Sequence, residues 1–145
     1  MYKKILYLTL CALITLTTAC TAVQPATQEQ DANAKSFAVE QGKAHIYIYR
    51  NETANFNTTM SVDIDGEHAG DTEQRTFIVK TVEPGMHSIT AHAENTSNIE
   101  LFAESGKNYF VWLEVYLGVV IPRAKLHNVS EEVGRAGVTE SILVE

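Results

Sequence analysis

The sequence predicts an all-β domain, a small antiparallel β-sandwich of about seven strands with a short C-terminal helical segment. Three observations predict it. From Lys43 onward apolar residues recur with period two, and the runs so marked are rich in Val, Ile, Thr and aromatics. Gly, Asn and Asp punctuate these runs at regular spacing. The segment has about 100 residues, which as a closed two-layer body buries enough apolar surface to fold without disulfides.

Each element follows from its residues. Residues 44–50 alternate Ile46 and Ile48 with Tyr47 and Tyr49. In 59–65, Met60, Val62 and Ile64 share one face, and Ser61, Asp63 and Asp65 share the other. Asp65-Gly66 is a turn pair, because glycine tolerates positive φ, so a hairpin continues through Glu67, His68, Ala69 and Gly70. Residues 75–82 form a third strand, and Glu83-Pro84-Gly85 turns the chain again. Then His87, Ile89, Ala91 and Ala93 alternate with Ser88, Thr90, His92 and Glu94, giving one inward and one wet face. A short strand at 99–103 precedes the turn Ser105-Gly106-Lys107-Asn108. Residues 109–117 are apolar on both faces except Glu114, the mark of a central strand. A last strand covers 123–129, and Ser130 caps a helical stretch over 131–135 that Gly134 and Gly137 weaken.

The N-terminus carries a different message. Lys3 and Lys4 precede a twelve-residue apolar run, residues 5–16, followed by Thr17-Thr18-Ala19-Cys20. That is the pattern of a secretory signal. As a helix the run reaches only ~18 Å, too short for a ~30 Å hydrocarbon core. Leu16-Thr17-Thr18-Ala19-Cys20 resembles the lipobox of a bacterial lipoprotein, although Thr17 stands where a large aliphatic residue is usual. The resemblance implies residues 1–19 as a cleaved signal peptide and diacylglycerol on the Cys20 thiol, with acylation of the new amine. It also implies sorting to the outer membrane, facing the periplasm, because Thr21 is not the retaining Asp. Cys11 leaves with the signal, so no intramolecular disulfide is possible. Residues 20–42 are polar and Ala/Gln/Thr-rich, and read as a flexible tether of about 25 Å reach, with Phe37 and Val39 touching the domain. Residues 43–145 are then the sandwich domain.

Composition narrows the functional classes. Lys+Arg number 11 against 18 Asp+Glu, a net charge of −7, and losing Lys3 and Lys4 leaves 9 against 18, or −9. Such a balance argues against a nucleic-acid partner. The ordered series of motifs also carries a resemblance: Lys43 to Arg50 (KAHIYIYR), the Val62–Gly70 hairpin, Glu83-Pro84-Gly85-Met86-His87, Gly106-Lys107-Asn108-Tyr109 and Glu131 to Arg135. The chain resembles an uncharacterised bacterial lipoprotein family, the domain of unknown function numbered 2846, and its middle is similar to the PEGA domain, a small β-sandwich module. The family has no assigned catalytic residues to transfer.

Candidate chemistry is sparse. The five histidines (His45, His68, His87, His92, His127) show no helical metal-ligand spacing, so neither a metal nor a cofactor is expected. His87 and His92 lie an odd number apart, which on a regular strand sends them to opposite faces. Asp63 and Asp65 read as solvated carboxylates beside a turn. The aromatics Tyr47, Tyr49 and Trp112 either fill the core or form an outward stacking platform for sugar or peptide. The Asn-x-Ser/Thr triplets at Asn51, Asn57, Asn95 and Asn128 read as turn chemistry. Two functions stand: a non-enzymatic, membrane-anchored envelope module contacting an envelope protein or peptidoglycan, and an envelope hydrolase or metal-dependent enzyme using His87, His92, Asp63 and Asp65.

Overall fold

A computed structural model describes residues 23–53, 56 and 58–145, so the signal segment and Cys20 lie outside the described residues. In chain order the elements are α1 (Gln28–Ala34), β1 (Ala44–Tyr49), β2 (Met60–Ile64), β3 (Glu67–Thr72) and β4 (Thr76–Val82). They continue as β5 (Gly85–His92), β6 (Thr96–Ala103), β7 (Asn108–Tyr116), β8 (Arg123–Val129), α2 (Glu131–Thr139) and β9 (Ile142–Leu143). The strands make two sheets, ordered β8-β7-β1-β4-β9 and β3-β2-β5-β6. This is the all-β sandwich that the alternation predicts. The antiparallel expectation fails at two pairings: β1 runs parallel to β7, and β4 parallel to β9. A parallel pair needs a long crossover, and the whole second sheet supplies it between β1 and β7.

Strand parity decides which side chains meet. Ala44, Ile46 and Ile48 of β1 join Val111, Leu113 and Val115 of β7 between the sheets, against Met60, Val62, Ile89 and Ala91. The other parity carries Tyr47, Tyr49, Phe77 and Phe110 to the outer face of the five-stranded sheet, where Val138 of α2 completes a second cluster. Strands β1 and β7 are apolar on both faces because both faces are covered. The helices thus add a third layer on one side only.

The tether expectation for residues 20–42 gives way from Val23 onward. Thr27 caps α1 with a full capping box, its hydroxyl accepting from the Gln30 N–H while the Gln30 side chain accepts from the Thr27 N–H. Asp31 accepts from the Leu143 N–H at 2.8 Å, and Tyr47 donates its hydroxyl to the Ala34 carbonyl at 2.9 Å. Phe37 lies 5.4 Å from the Tyr47 ring and 5.8 Å from the Phe110 ring. Pro25 bridges to Val144. The segment is fixed by polar contacts and one aromatic plug, which hydrophobic periodicity does not register.

The open flank between the sheets is sealed by side chains. Asn95 donates to the Ala124 carbonyl at 2.8 Å and accepts from the Ala124 N–H at 2.9 Å, while Ser97 accepts from the Leu126 N–H at 3.0 Å. These bonds satisfy the free edge of β8, which would otherwise offer unpaired backbone groups to another chain.

Candidate functional site

The face of the four-stranded sheet that points away from the core carries no helix, and apart from Met86 and Phe102, which pair across β5 and β6 at one end, its exposed residues are polar. Strand β2 places Ser61 and Asp63 there, opposite His92 and Thr90 of β5. His92 Nε2 lies 2.8 Å from Asp63 Oδ2, and His68 Nδ1 lies 3.2 Å from Ser61 Oγ and 3.8 Å from Asp63 Oδ1. A Ser-His-carboxylate relay needs the far imidazole nitrogen held by a carboxylate. Here His68 Nε2 is 3.8 Å from Asp71, beyond hydrogen-bond reach, and the imidazole is more than half exposed. Asn98 donates to Ser88 and Thr90 hydroxyls from β6 and extends the polar row.

Asp65 and His87 form a separate pair. Asp65 takes φ +54° and Gly66 φ +80° in the predicted turn. The Asp65 carboxylate meets His87 Nδ1 at 2.7 Å and accepts from the Ser88 N–H at 2.9 Å, while His87 Nε2 lies 2.7 Å from the Glu83 carbonyl. Both partners accept, so the arrangement favours the cationic imidazole, in which both ring nitrogens donate. Burial lowers the His87 pKa, but the Asp65 carboxylate and Glu83 carbonyl outweigh it and raise the value above 6.5. The His87 hydrogen bond and the Ser88 N–H hold Asp65 below its ordinary 3.8. The pair ties the Glu83-Pro84-Gly85 turn to the Asp65-Gly66 turn.

The four residues set out for an enzyme therefore come together as two pairs, Asp63–His92 and Asp65–His87. Among the described residues no three His, Cys, Asp or Glu side chains are grouped to hold a metal ion. A cleft of about 300 Å³ beside them is lined by Asp65, Glu67, His68 and, from β4, Lys80, Thr81 and Val82. His87 and His92 do not line it.

The pH consequence has a definite sign. A raised His87 pKa stabilises the fold below the unfolded value, and that contribution is lost as pH rises through the folded value. A lowered Asp65 pKa stabilises above its unfolded value and is lost as pH falls. Both act together between about pH 4 and 6.5. Asp65→Asn keeps a residue that tolerates positive φ, and is expected to move the His87 titration downward, read by NMR of its ring protons. An unchanged midpoint would show that Asp65 is not what sustains the cation.

Of the two places open to the aromatics, Tyr47 and Tyr49 take the core and not an outward platform. Tyr47 and Tyr49 are 1% and 2% exposed beneath the helices, so neither faces solvent. Burial pushes Tyr47 up to about 12 against the opposing Arg135 charge, and it also raises Tyr49. Trp112 is half-buried and stacks on His127 at 5.1 Å, with His127 Nε2 2.8 Å from Glu114. His45 is half-buried beside Tyr47. A second depression, about 340 Å³, is lined by Phe37, Val39, Lys107, Asn108, Glu131 and Arg135. Its cations are engaged: Arg135 lies 4.3 Å above the Phe37 ring and donates to Glu131, and Lys107 pairs with Glu104.

Sequence comparison identifies the lineage. Residues 40–123 match the family model described as a protein of unknown function, DUF2846. The chain belongs to this family. The match runs from just before β1 to the first residue of β8, so α1, α2 and β9 lie outside it. A relative from Haemophilus influenzae, described as an uncharacterized protein, is 33% identical over 127 residues, covering 86% of this chain and 76% of its own. Arg50, which ends the predicted first strand, is fully buried and bonds to Glu52, Thr58 and Thr72, a structural role that the strand pattern does not mark. Its sequence signal is an arginine directly following six residues of strand pattern.

Proposed function

We propose that this member of the family is a lipid-anchored domain of the bacterial envelope, held at the outer membrane toward the periplasm and acting by contact rather than catalysis. The observation that carries the reading is the lipobox-like Leu16-Thr17-Thr18-Ala19-Cys20 behind Lys3, Lys4 and a short apolar run. Two or three acyl chains at Cys20 would anchor it stably, where one would bind reversibly. Contact rather than turnover is favoured by the site's geometry: the Asp–His pairs are separate, both ring nitrogens of the largely covered His87 are taken up in bracing two turns, and the exposed His92 braces neighbouring strands through Asp63. The helix-free face bearing Ser61, Asp63, Ser88, Thr90, His92 and Asn98 offers hydrogen-bond donors and acceptors in rows at strand spacing, suited to a sugar or peptide polymer such as peptidoglycan or to an envelope protein. The Val62–Gly70 hairpin and the Glu83-Pro84-Gly85 turn, braced together by His87, support reading the middle of the domain as PEGA-like.

Cys20→Ser tests the anchor. The wild type is expected to incorporate labelled palmitate and to fractionate with membranes, and the variant to lose both. Wild-type protein without label, retained on membranes equally with and without Cys20, would overturn the reading.

A further inference from the structure

We propose that the tip of the β7–β8 hairpin, residues 117–122, seats in the headgroup region of the bilayer that holds Cys20; the inference rests on the lipidation read above. Leu117, Val119, Val120 and Ile121 are 79%, 89%, 86% and 53% exposed, four apolar side chains in five residues turned to water. A run of this kind marks an interaction surface on an otherwise acidic body. The tip is held in shape. Glu94, from the β5–β6 turn, accepts from the N–H groups of Val120 at 3.0 Å and Ile121 at 3.2 Å, with Val119 at 3.5 Å. A Cβ on Gly118 would lie 2.0 Å from the Ile121 carbonyl oxygen, so only glycine permits this close return of the chain.

Position selects the occupant. Strand β7 runs parallel to β1 with Tyr49 beside Trp112, and continues four residues further to Tyr116. The tip therefore projects from the end of the sandwich at which β1 finishes and β4 begins. The N-terminal chain meets the domain at that same end: the Val23 N–H donates to Glu73 Oε1 at 3.5 Å, and that oxygen also accepts from Thr59. Glu73 lies in the β3–β4 turn, directly after β3 and three residues before β4 begins. Only two residues, Thr21 and Ala22, separate Cys20 from docked Val23, so the two are at most ~10 Å of extended chain apart. A lipid on Cys20 thus brings this end, and with it the apolar tip, against the membrane surface. Seating through apolar side chains also suits a chain whose net negative charge gives no attraction to anionic lipid.

The test uses the mature full chain in vesicles of phosphatidylethanolamine and phosphatidylglycerol, with and without brominated acyl chains. Lipidated wild type has no free thiol, so Val120→Cys and, at the opposite end, Glu67→Cys each accept one environment-sensitive fluorophore. The probe at 120 is expected to shift to the blue and to lose roughly half its emission to brominated lipid, as for a group a few ångströms into the interface, and the probe at 67 to do neither. A water-like probe at 120 on protein whose N-terminal fragment carries acyl mass would overturn the seating and leave the anchor intact. A blue shift without bromine quenching would mean that a second copy or a partner protein covers the tip, and would also overturn it. A free Cys20 thiol on an unmodified N-terminal fragment would overturn seating and anchor together.

Discussion

Arg50→Met is expected to cost about 3–5 kcal/mol of unfolding free energy, the loss typical of removing one partner from a buried ion pair. Arg50 is fully buried and follows the end of β1. Its Nε donates to Glu52 at 2.8 Å, and one terminal nitrogen donates to the Thr58 carbonyl at 2.8 Å and the Thr72 carbonyl at 2.9 Å. The guanidinium thereby joins Glu52 and Thr58 to the end of β3. Methionine restores most of the volume and none of the donors. The Glu52 side chain, 10% exposed, is left as an uncompensated charge, and two carbonyls lose their partner. Chemical denaturation of wild type and variant reads the loss directly, with a fall in Tm of about 10–20 °C expected for a domain of this size. The double variant Arg50→Met with Glu52→Leu is expected to recover part of the deficit, because the stranded carboxylate goes with its partner. A single variant within about 0.5 kcal/mol of wild type would show that the network contributes nothing net, as for an ordinary surface pair.

The strands were legible in the sequence because one face of each is buried and the period of two is written in the residues, as in Met60, Val62 and Ile64. What the pattern could not show was which apolar parity faced the opposite sheet. In β1 the aliphatic parity, Ile46 and Ile48, fills the sandwich, and the aromatic parity, Tyr47 and Tyr49, lies under helices that carry little apolar signal themselves. Helix α1 has no buried residue, and holds on by side-chain and backbone hydrogen bonds. Its one sequence mark was local: Thr27 and Gln30 at capping-box spacing. The parity argument did separate the two histidines. His87 falls in line with Ile89 and Ala91, while His92 falls in line with Thr90, and each meets a different aspartate. Which aspartate each meets depends on the register of β2 against β5, a long-range property that no local window contains. The strand pattern of 109–117 does not mark the hairpin tip, because the apolar residues of the strand are followed by Val119, Val120 and Ile121, and composition alone does not tell an exposed tip from a buried stem.

Gly137→Ala is expected to destabilise the domain by about 1–3 kcal/mol, even though alanine is the better helix former by about 1 kcal/mol. Sequence propensity alone reads Gly134 and Gly137 as flaws in α2. Their surroundings reverse that reading. A Cβ on Gly137 would lie 2.1 Å from Tyr49 Cε2, and one on Gly134 would lie 2.1 Å from Phe110 Cβ and Cγ. Three residues apart, the two glycines share the face by which the helix rests on the sheet. Both rings are almost wholly buried, and Tyr47 stacks on Phe110 at 5.1 Å, so neither can yield without disturbing the aromatic layer. The added methyl must instead lift the helix and open the contact with Val138, which is fully buried. Gly134→Ala is expected to behave alike, and the exposed Glu132→Ala to change stability by no more than about 0.5 kcal/mol, which separates packing from propensity. Denaturant midpoints together with the near-ultraviolet signal of Tyr49 and its neighbours provide the readout. A Gly137→Ala variant more stable than wild type would mean that α2 does not rest on Tyr49 through this face; a loss shared by both glycines and absent at Glu132 would fix the helix by its lack of side chains, the feature that made it look weakest.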